Sequence, residues 1–429
     1  MQARHRRRSL AAIGGVAALV LAYGVQGVAA HTAKTAAGAT TGTVNFVTTN
    51  TNTPGFAAVV TAFEAQYPGI TVNASYLNSN QYNSLIPTEL AAGNAPDVFT
   101  GFPGTGALPA VQLMAEAGDL EAIPIKGNYK AIPADALPDV SYKGKVYGYP
   151  LGQSAYFMLY NTTAFKSLGF QVPKTYAQLN ALCTKAKADG KVLLEQAGSV
   201  EPNNGVLATQ MASGPVYLSD PKWNTQKAKG KTTFVKSKGW NAAMTEFQSL
   251  AQNDCFESGA AGQTVPGATA QFASGDALIW LANSQNIGLT LAANPNFPLG
   301  VAATPAPTVK QQDVMVAYPT NLLVNAHSPN LAAAETFANF FAEPAEDAAW
   351  AQALGYSSLA QVDHNQLSAF VKPLVPYYKK GLTRVNPFFA WPNPEVFADE
   401  STEVQGLLTG QTTPSVVLGA MDSAWSSGG

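Results

Sequence analysis

Between residues 42 and 101 the chain alternates through five segments with little connecting sequence. "GTVNFVTTN" is a short β-rich run. In "PGFAAVVTAFEAQYPG", Phe56, Val59, Val60 and Phe63 recur at helical spacing, and Tyr67-Pro68-Gly69 ends the helix. "ITVNASYL" is a second strand, "QYNSLIPTELAAGNA" a second helix closed by Gly93-Asn94, and "PDVFTG" a third strand. Strands separated by helices pair in parallel, so this order predicts a parallel sheet with helices on both faces. Ligands of such sheets gather at the carboxyl ends of the strands. Those ends carry the polar tails "TTNTN" and "TGFPGTG".

The pattern restarts after residue 150. In "PKTYAQLNALCTKAKADG", Thr175 with Gln178 makes a capping box and Gly190 supplies the stop. "GWNAAMTEFQSLAQND" is another helix, and "DALIWLANS" is a strand running into polar residues. "NPNFPLGVAATPAPT" and "AYPTNLLVNAHSP" are further strand candidates, followed by the helix "NLAAAETFANFFAEP". "PEVFADESTEVQGLLTG" and "PSVVLGAMDSAW" form a closing helical part. With 429 residues the chain is too long for one ordinary core, and the pattern describes two α/β units.

The first thirty residues stand apart from that fold. "RHRRRS" is a positive n-region, "LAAIGGVAALVLAYGV" an apolar core, and Val28-Ala29-Ala30 offers small residues for cleavage after Ala30. An uncleaved anchor is the other reading, and Arg7-Arg8 before Ser9-Leu10 loosely matches a twin-arginine signal. No cysteine lies near the cleavage site to carry a lipid, and "HTAKTAAGATTG" reads as a flexible tether. Export bears on Cys183 and Cys255. Both continue apolar helical stripes and would pack as small hydrophobes if reduced, yet an even count in an oxidising compartment favours one disulfide.

A net charge of -2 gives no electrostatic reason to expect nucleic acid as a partner. His5 and His31 lie in or beside the signal, and His327 and His364 have no second ligand residue spaced for a metal. "GQSAY" lacks the second glycine of a nucleophile elbow, so Ser154 is a poor nucleophile. No phosphate-cradling loop is present, no cofactor is implied, and most acidic residues read as solvated helix faces. The sequence offers no catalytic constellation, and no enzymatic activity is expected. Only 12% of residues are charged, which would suit an acidic habitat.

The order of motifs resembles the family-1 extracellular solute-binding proteins of ABC importers, the group that includes maltose-binding protein. "FEAQYPGITV", "LAAGNAPDVF", "KGKVYGYPLGQSAYFMLYNTTAFKSLGFQVPKTYAQL", "FASGDALIWLANS" and "HSPNLAAAETFANFF" carry the likeness, in the right order along nearly the whole mature chain. One departure is Gln285, where the family often has Trp after the "GDALIW" strand. The resemblance implies an α/β fold of type II, periplasmic-binding-protein-like, with two lobes and a ligand cleft between them. Residues 1–30 would be signal and 31–42 tether. One lobe would take residues 43–150 and 306–355, the other 151–305 and 356–429, with crossings near 148–151, 304–307 and 354–359. A carbohydrate ligand, an oligosaccharide, and an ABC permease as partner are implied for a monomeric, exported receptor. A polyamine, Fe(III) or anion receptor and an exported glycosidase are the competing readings.

A sugar needs flat rings beside neutral donors and acceptors. Asn50, Thr51 and Asn52 follow the first strand, and Thr100 with Phe102 follows the third. Gln153, Ser154 and Tyr156 stand at the first crossing, and Trp280, Asn283, Ser284 and Gln285 end the second-unit strand. Tyr318 and Thr320 mark the return, and Trp391 and Phe397 flank the helix near the end. Phe397 matches by position a family aromatic that stacks on sugar. Against this, Asn50 to Asn52 could merely cap a helix, and Trp280 could be core.

Overall fold

The computed structural model describes residues 41–359 and 370–427. The signal segment, tether residues 31–40 and His5, His31 and His364 lie outside the described residues. Gly42, expected in the tether, opens the first strand.

Two mixed sheets organise the chain. The first runs, edge to edge, through Ile70–Leu77, Gly42–Thr49, Val98–Gly101, Asn321–Val324 and Tyr149–Pro150. Its three N-terminal strands are parallel, Gly42 opposite Ile70 and Phe46 opposite Val98. The last two are added antiparallel. The second sheet runs through Thr383–Val385, Val314–Ala317, Ser154–Asn161, Ala277–Asn283 and Val192–Glu195, and Leu299–Ala302 also pairs with its central strand. That strand is covered on both faces, which is why Ala155 to Leu159 is a continuous buried run rather than an alternating one.

Each sheet buries its own core. In the first lobe Phe46 meets Phe56 at 4.7 Å and Phe56 meets the edge of Trp350 at 5.7 Å. Gly55 lets them close, because a Cβ there would stand 2.7 Å from Trp350. Each fully buried Phe contributes about 1.5–3 kcal/mol. In the second lobe Thr175 does form the expected capping box. Cys183 and Cys255 are bonded to each other, fastening the helix Tyr176–Ala188 to the segment after Lys238–Gln252. Among the described residues no helix is long and apolar enough to cross a membrane.

The chain changes sheets at places that differ in detail from the expected boundaries. Tyr149–Pro150 lies in the first sheet and Ser154–Asn161 in the second, so the first crossing is residues 151–153. The return was expected near 304–307, with 306 onward in the first lobe. Instead Val314–Ala317 pairs with Ser154–Asn161, and the chain returns only at Tyr318-Pro319-Thr320. A proline cannot donate to a ladder, so Pro319 separates two strands within one apolar run. Residues 356 onward were expected in the second lobe, yet Tyr356 and Leu359 still pack in the first core. Val371 and Leu374 are the next described residues to join the second.

Candidate functional site

The carboxyl ends of the first sheet form a small hydroxyl network. Thr48 Oγ1 and Thr100 Oγ1 lie 2.9 Å apart, and Thr100 also donates to Tyr82. Asn52 donates to Thr48 and Thr49 from the short helix Asn50–Asn52, so its amide is committed to holding that turn. Thr51 presents its carbonyl outward, where it accepts from Gln285 Nε2 of the second lobe at 3.2 Å.

The crossing strands carry a second network. Gln153 is buried and exchanges backbone hydrogen bonds with Ser357. Its Nε2 donates to Tyr318 Oη at 2.8 Å, and its Oε1 accepts from Tyr378. Tyr318 in turn donates to Asp135 at 3.0 Å. One buried amide therefore joins both crossing strands, the first lobe through Asp135 and the second through Tyr378. Burial, then the charge of Asp135, pushes the Tyr318 phenol well up, so it stays a neutral donor. On the other side of the first crossing Ser284 accepts from Ala155 N–H at 3.0 Å.

Away from these crossings the lobes also touch through backbone. The loop after "PDVF" approaches residues 387–391, and Thr105 and Gly106 N–H groups both donate to the Phe389 carbonyl, at 2.9 and 3.1 Å. Thr105 Oγ1 donates to the Trp391 carbonyl, and Phe102 lies parallel to Phe389 at 6.1 Å. Glycine is required here: a Cβ on Gly106 would stand 1.7 Å from the Phe388 oxygen, and one on Gly104 1.9 Å from that of Phe389.

Beside this contact a cavity of about 240 Å³ opens between Asp139 of the first lobe and Tyr217, Asn224, Arg384 and Asn386 of the second. Tyr217 is delivered by a π-helical turn, Ser213–Leu218, a distortion that recurs at functional sites. Arg384 is the only arginine beyond residue 8. Its Nε donates to the Tyr217 carbonyl at 3.2 Å and its Nη1 to Gly381 and Thr383, which fixes the guanidinium at the cavity. Burial and then Asp135 push the Asp139 carboxyl up to about 6. Asn224 Oδ1 is buried without a hydrogen-bond partner, while the Asn386 side chain lies against the buried Tyr156 hydroxyl. An unpaired buried amide oxygen costs about 1–3 kcal/mol, and a ligand hydroxyl admitted as the lobes part would satisfy it. The set combines a carboxyl, a guanidinium and two amides, donors and acceptors suited to a polyol.

The sequence profile of the bacterial extracellular solute-binding proteins matches residues 58–367. The chain belongs to that family. Among curated relatives, the α-glucosides-binding periplasmic protein AglE of Rhizobium meliloti (strain 1021) is 29% identical over 205 residues, 44% of this chain and 43% of AglE. The chain thus matches less than half the length of that relative. A chitin oligosaccharide binding protein superposes with a TM-score of 0.77 at 19% identity, over 90% of this chain and 99% of the other. A sugar transporter protein from Bacillus licheniformis, solved with stachyose, gives 0.74 at 18% identity, over 89% and 98%. These likenesses establish the two-lobed α/β fold.

Within this solute-binding protein the expected residues divide. Thr51, Phe102, Gln153, Ser284, Gln285, Tyr318 and Thr320 come to the lobe boundary, and Leu151 N–H bonds to the Thr320 carbonyl. Asn50 is exposed on the turn after the first strand. Asn283 caps the helix Ser284–Ala293, accepting from Gln285 N–H. Ser154 is wholly buried at the start of the central strand. Three rings expected in the cleft sit in the second-lobe cores instead. Tyr156 and Trp280 are buried in the sheet, and Trp391 has no exposed surface, enclosed by Phe234 at 5.4 Å and Trp240 at 6.1 Å. Phe397 is half-buried but stacks on Phe388 at 4.0 Å, so one of its faces is taken. Sequence reasoning missed Asp139, Arg384, Asn386, Tyr217 and Asn224. Only the isolation of Arg384 in the composition could have singled one out.

Proposed function

We propose that this solute-binding protein takes up a carbohydrate, an oligosaccharide, between its lobes and delivers it to an ABC permease without chemical turnover. The observation that carries the reading is the inter-lobe cavity, where Asp139, Arg384, Asn224 and Asn386 offer a polyol both donors and acceptors. The relative AglE is named for α-glucosides, and one structural neighbour was solved with stachyose, which supports the same class. The cavity is below the roughly 300–1,000 Å³ of an ordinary ligand pocket, so an oligosaccharide requires the lobes to part before they close on it. Export through the N-terminal segment, with cleavage after Ala30, belongs to the same proposal.

The test is a thermal-shift panel of α-glucosides, galactosyl-sucroses and chitin oligosaccharides, with parallel assay for released product. A ligand that binds only the folded chain raises the melting temperature, by about 2.7 kcal/mol of stability at a hundred times its Kd. A shift without product is expected. Failure of the whole panel overturns the carbohydrate assignment, and product release would make the protein an enzyme.

A further inference from the structure

The second lobe contains a pair of acidic residues that the binding site does not use. Leu194 forms a parallel bridge with Phe256, so the next residue on each side, Glu195 and Glu257, lie next to each other. They are only 1% and 6% exposed. Among the described residues no side chain outside the pair hydrogen-bonds to any of their four carboxyl oxygens. The neighbouring amides are already engaged: Gln196 donates to Asn204, and Asn204 to the Gly198 carbonyl.

Among the described residues no cation is paired with Glu195 or Glu257. On the helix packed against the strand, Lys187 is paired with Asp254 at 2.9 Å, while Lys185 and Asp189 lie on its exposed side. Lys191 faces Asp276 at the opposite end of the strand. The helix Val265–Ser274 and the strand Ala277–Asn283 contain no ionisable side chain. Glu201 bonds to Thr402, and Glu400 accepts from Thr209. The groups that act on Glu195 and Glu257 are each other's carboxyl and the backbone N–H groups of Gln196 and Glu257.

The geometry points to a proton-binding site: Glu195 and Glu257 share one proton in the folded chain at neutral pH, so that acid stabilises the second lobe and alkali loosens it. Two adjacent carboxylates in a low-dielectric interior repel each other and lack solvation. One proton between them removes a charge and makes a short, charge-assisted O–H···O bond. Burial first, then the neighbouring carboxyl, pushes Glu195 up to about 9, and burial raises Glu257. A divalent cation is the poorer occupant, because calcium takes six to eight oxygens and this pair offers four.

The sign follows from linkage. The folded pair keeps a proton that the unfolded chain releases above the ordinary glutamate range. Stability is therefore fully present below about pH 4 and is lost as pH rises toward the folded value. One such proton changes the unfolding constant about tenfold per pH unit. Buried Glu246, Asp313 and Asp347, each pushed up to about 7, act in the same direction, so the pair is isolated by difference.

The experiment is urea unfolding of the full chain from pH 5 to 8, for wild type, Glu257→Gln, Glu195→Gln and Glu257→Asp. The wild-type unfolding constant should rise more steeply with pH than that of either Gln variant, in which burial alone is left to raise the remaining carboxyl. Glu257→Asp, which keeps a carboxyl, should retain the wild-type slope. Equal slopes in wild type and both Gln variants would overturn the proposal. So would a wild-type midpoint that rises with calcium, falls with chelator and loses that response in the Gln variants.

Discussion

The lobes meet in two chemically different ways. At the crossings the contact is made by side chains: Gln153, Tyr318, Asp135 and Tyr378 form one buried chain of hydrogen bonds. Beside the cavity it is made by backbone, Thr105 and Gly106 donating to Phe389 across a gap that only glycine leaves open. A chain connects the lobes at the first place and nothing covalent does at the second. The crossing network can therefore persist while the lobes swing, whereas the glycine contact must break for a ligand to enter and re-form for it to be held.

The largest effect expected from that difference is at Gly106. Gly106→Val puts side-chain atoms where the Phe388 carbonyl stands and forfeits the three cross-lobe bonds of this loop. At about 1 kcal/mol each that is about 3 kcal/mol lost from the closed arrangement, about 100-fold in ligand affinity where only that arrangement holds ligand. Titration calorimetry with a hit from the sugar panel measures it. Unchanged affinity would mean the contact plays no part in holding ligand.

Next is Arg384, whose guanidinium is fixed at the cavity. Arg384→Gln removes charge-assisted bonds and should weaken binding by roughly 10- to 100-fold. A smaller effect comes from Asp139, which titrates near pH 6 because burial, then Asp135, raises it. Above that value its carboxylate accepts two ligand hydroxyls, and below it one oxygen carries a proton. Affinity should therefore rise several-fold as pH is raised through 6, and Asp139→Asn should flatten the profile. The smallest is Gln285→Ala, which deletes one partly exposed bond to Thr51 and should cost about threefold.

Legibility followed periodicity. Helices with a one-sided apolar stripe, such as Thr53–Gln66 and Lys238–Gln252, were readable because one face of each packs on a sheet. The helix Glu201–Ala212 was not, because Asn204 to Ala212 is buried almost all round and leaves no stripe. Val314–Ala317 merged with the following strand because both are apolar and only Pro319 divides them. Trp391 beside a proline reads as a platform, but Phe234 and Trp240, more than 150 residues earlier, enclose it. Acidic residues read as solvated faces include buried Glu195, Glu246, Glu257 and Glu400, whose surroundings are tertiary. Gln153 was legible because an amide inside an aromatic strand needs a reason. Asp139 and Arg384 are single charges in a four-residue 3-10 turn and a three-residue strand, too short for a local pattern to mark them.

Titration of wild type and Arg384→Gln with the same oligosaccharide, beside the melting temperature of each free protein, tests the site most directly. Saturable one-to-one binding by wild type, weakened at least about tenfold in a variant that remains folded at the titration temperature, is the expected result. Equal affinity in the two proteins would place the ligand elsewhere and contradict the account.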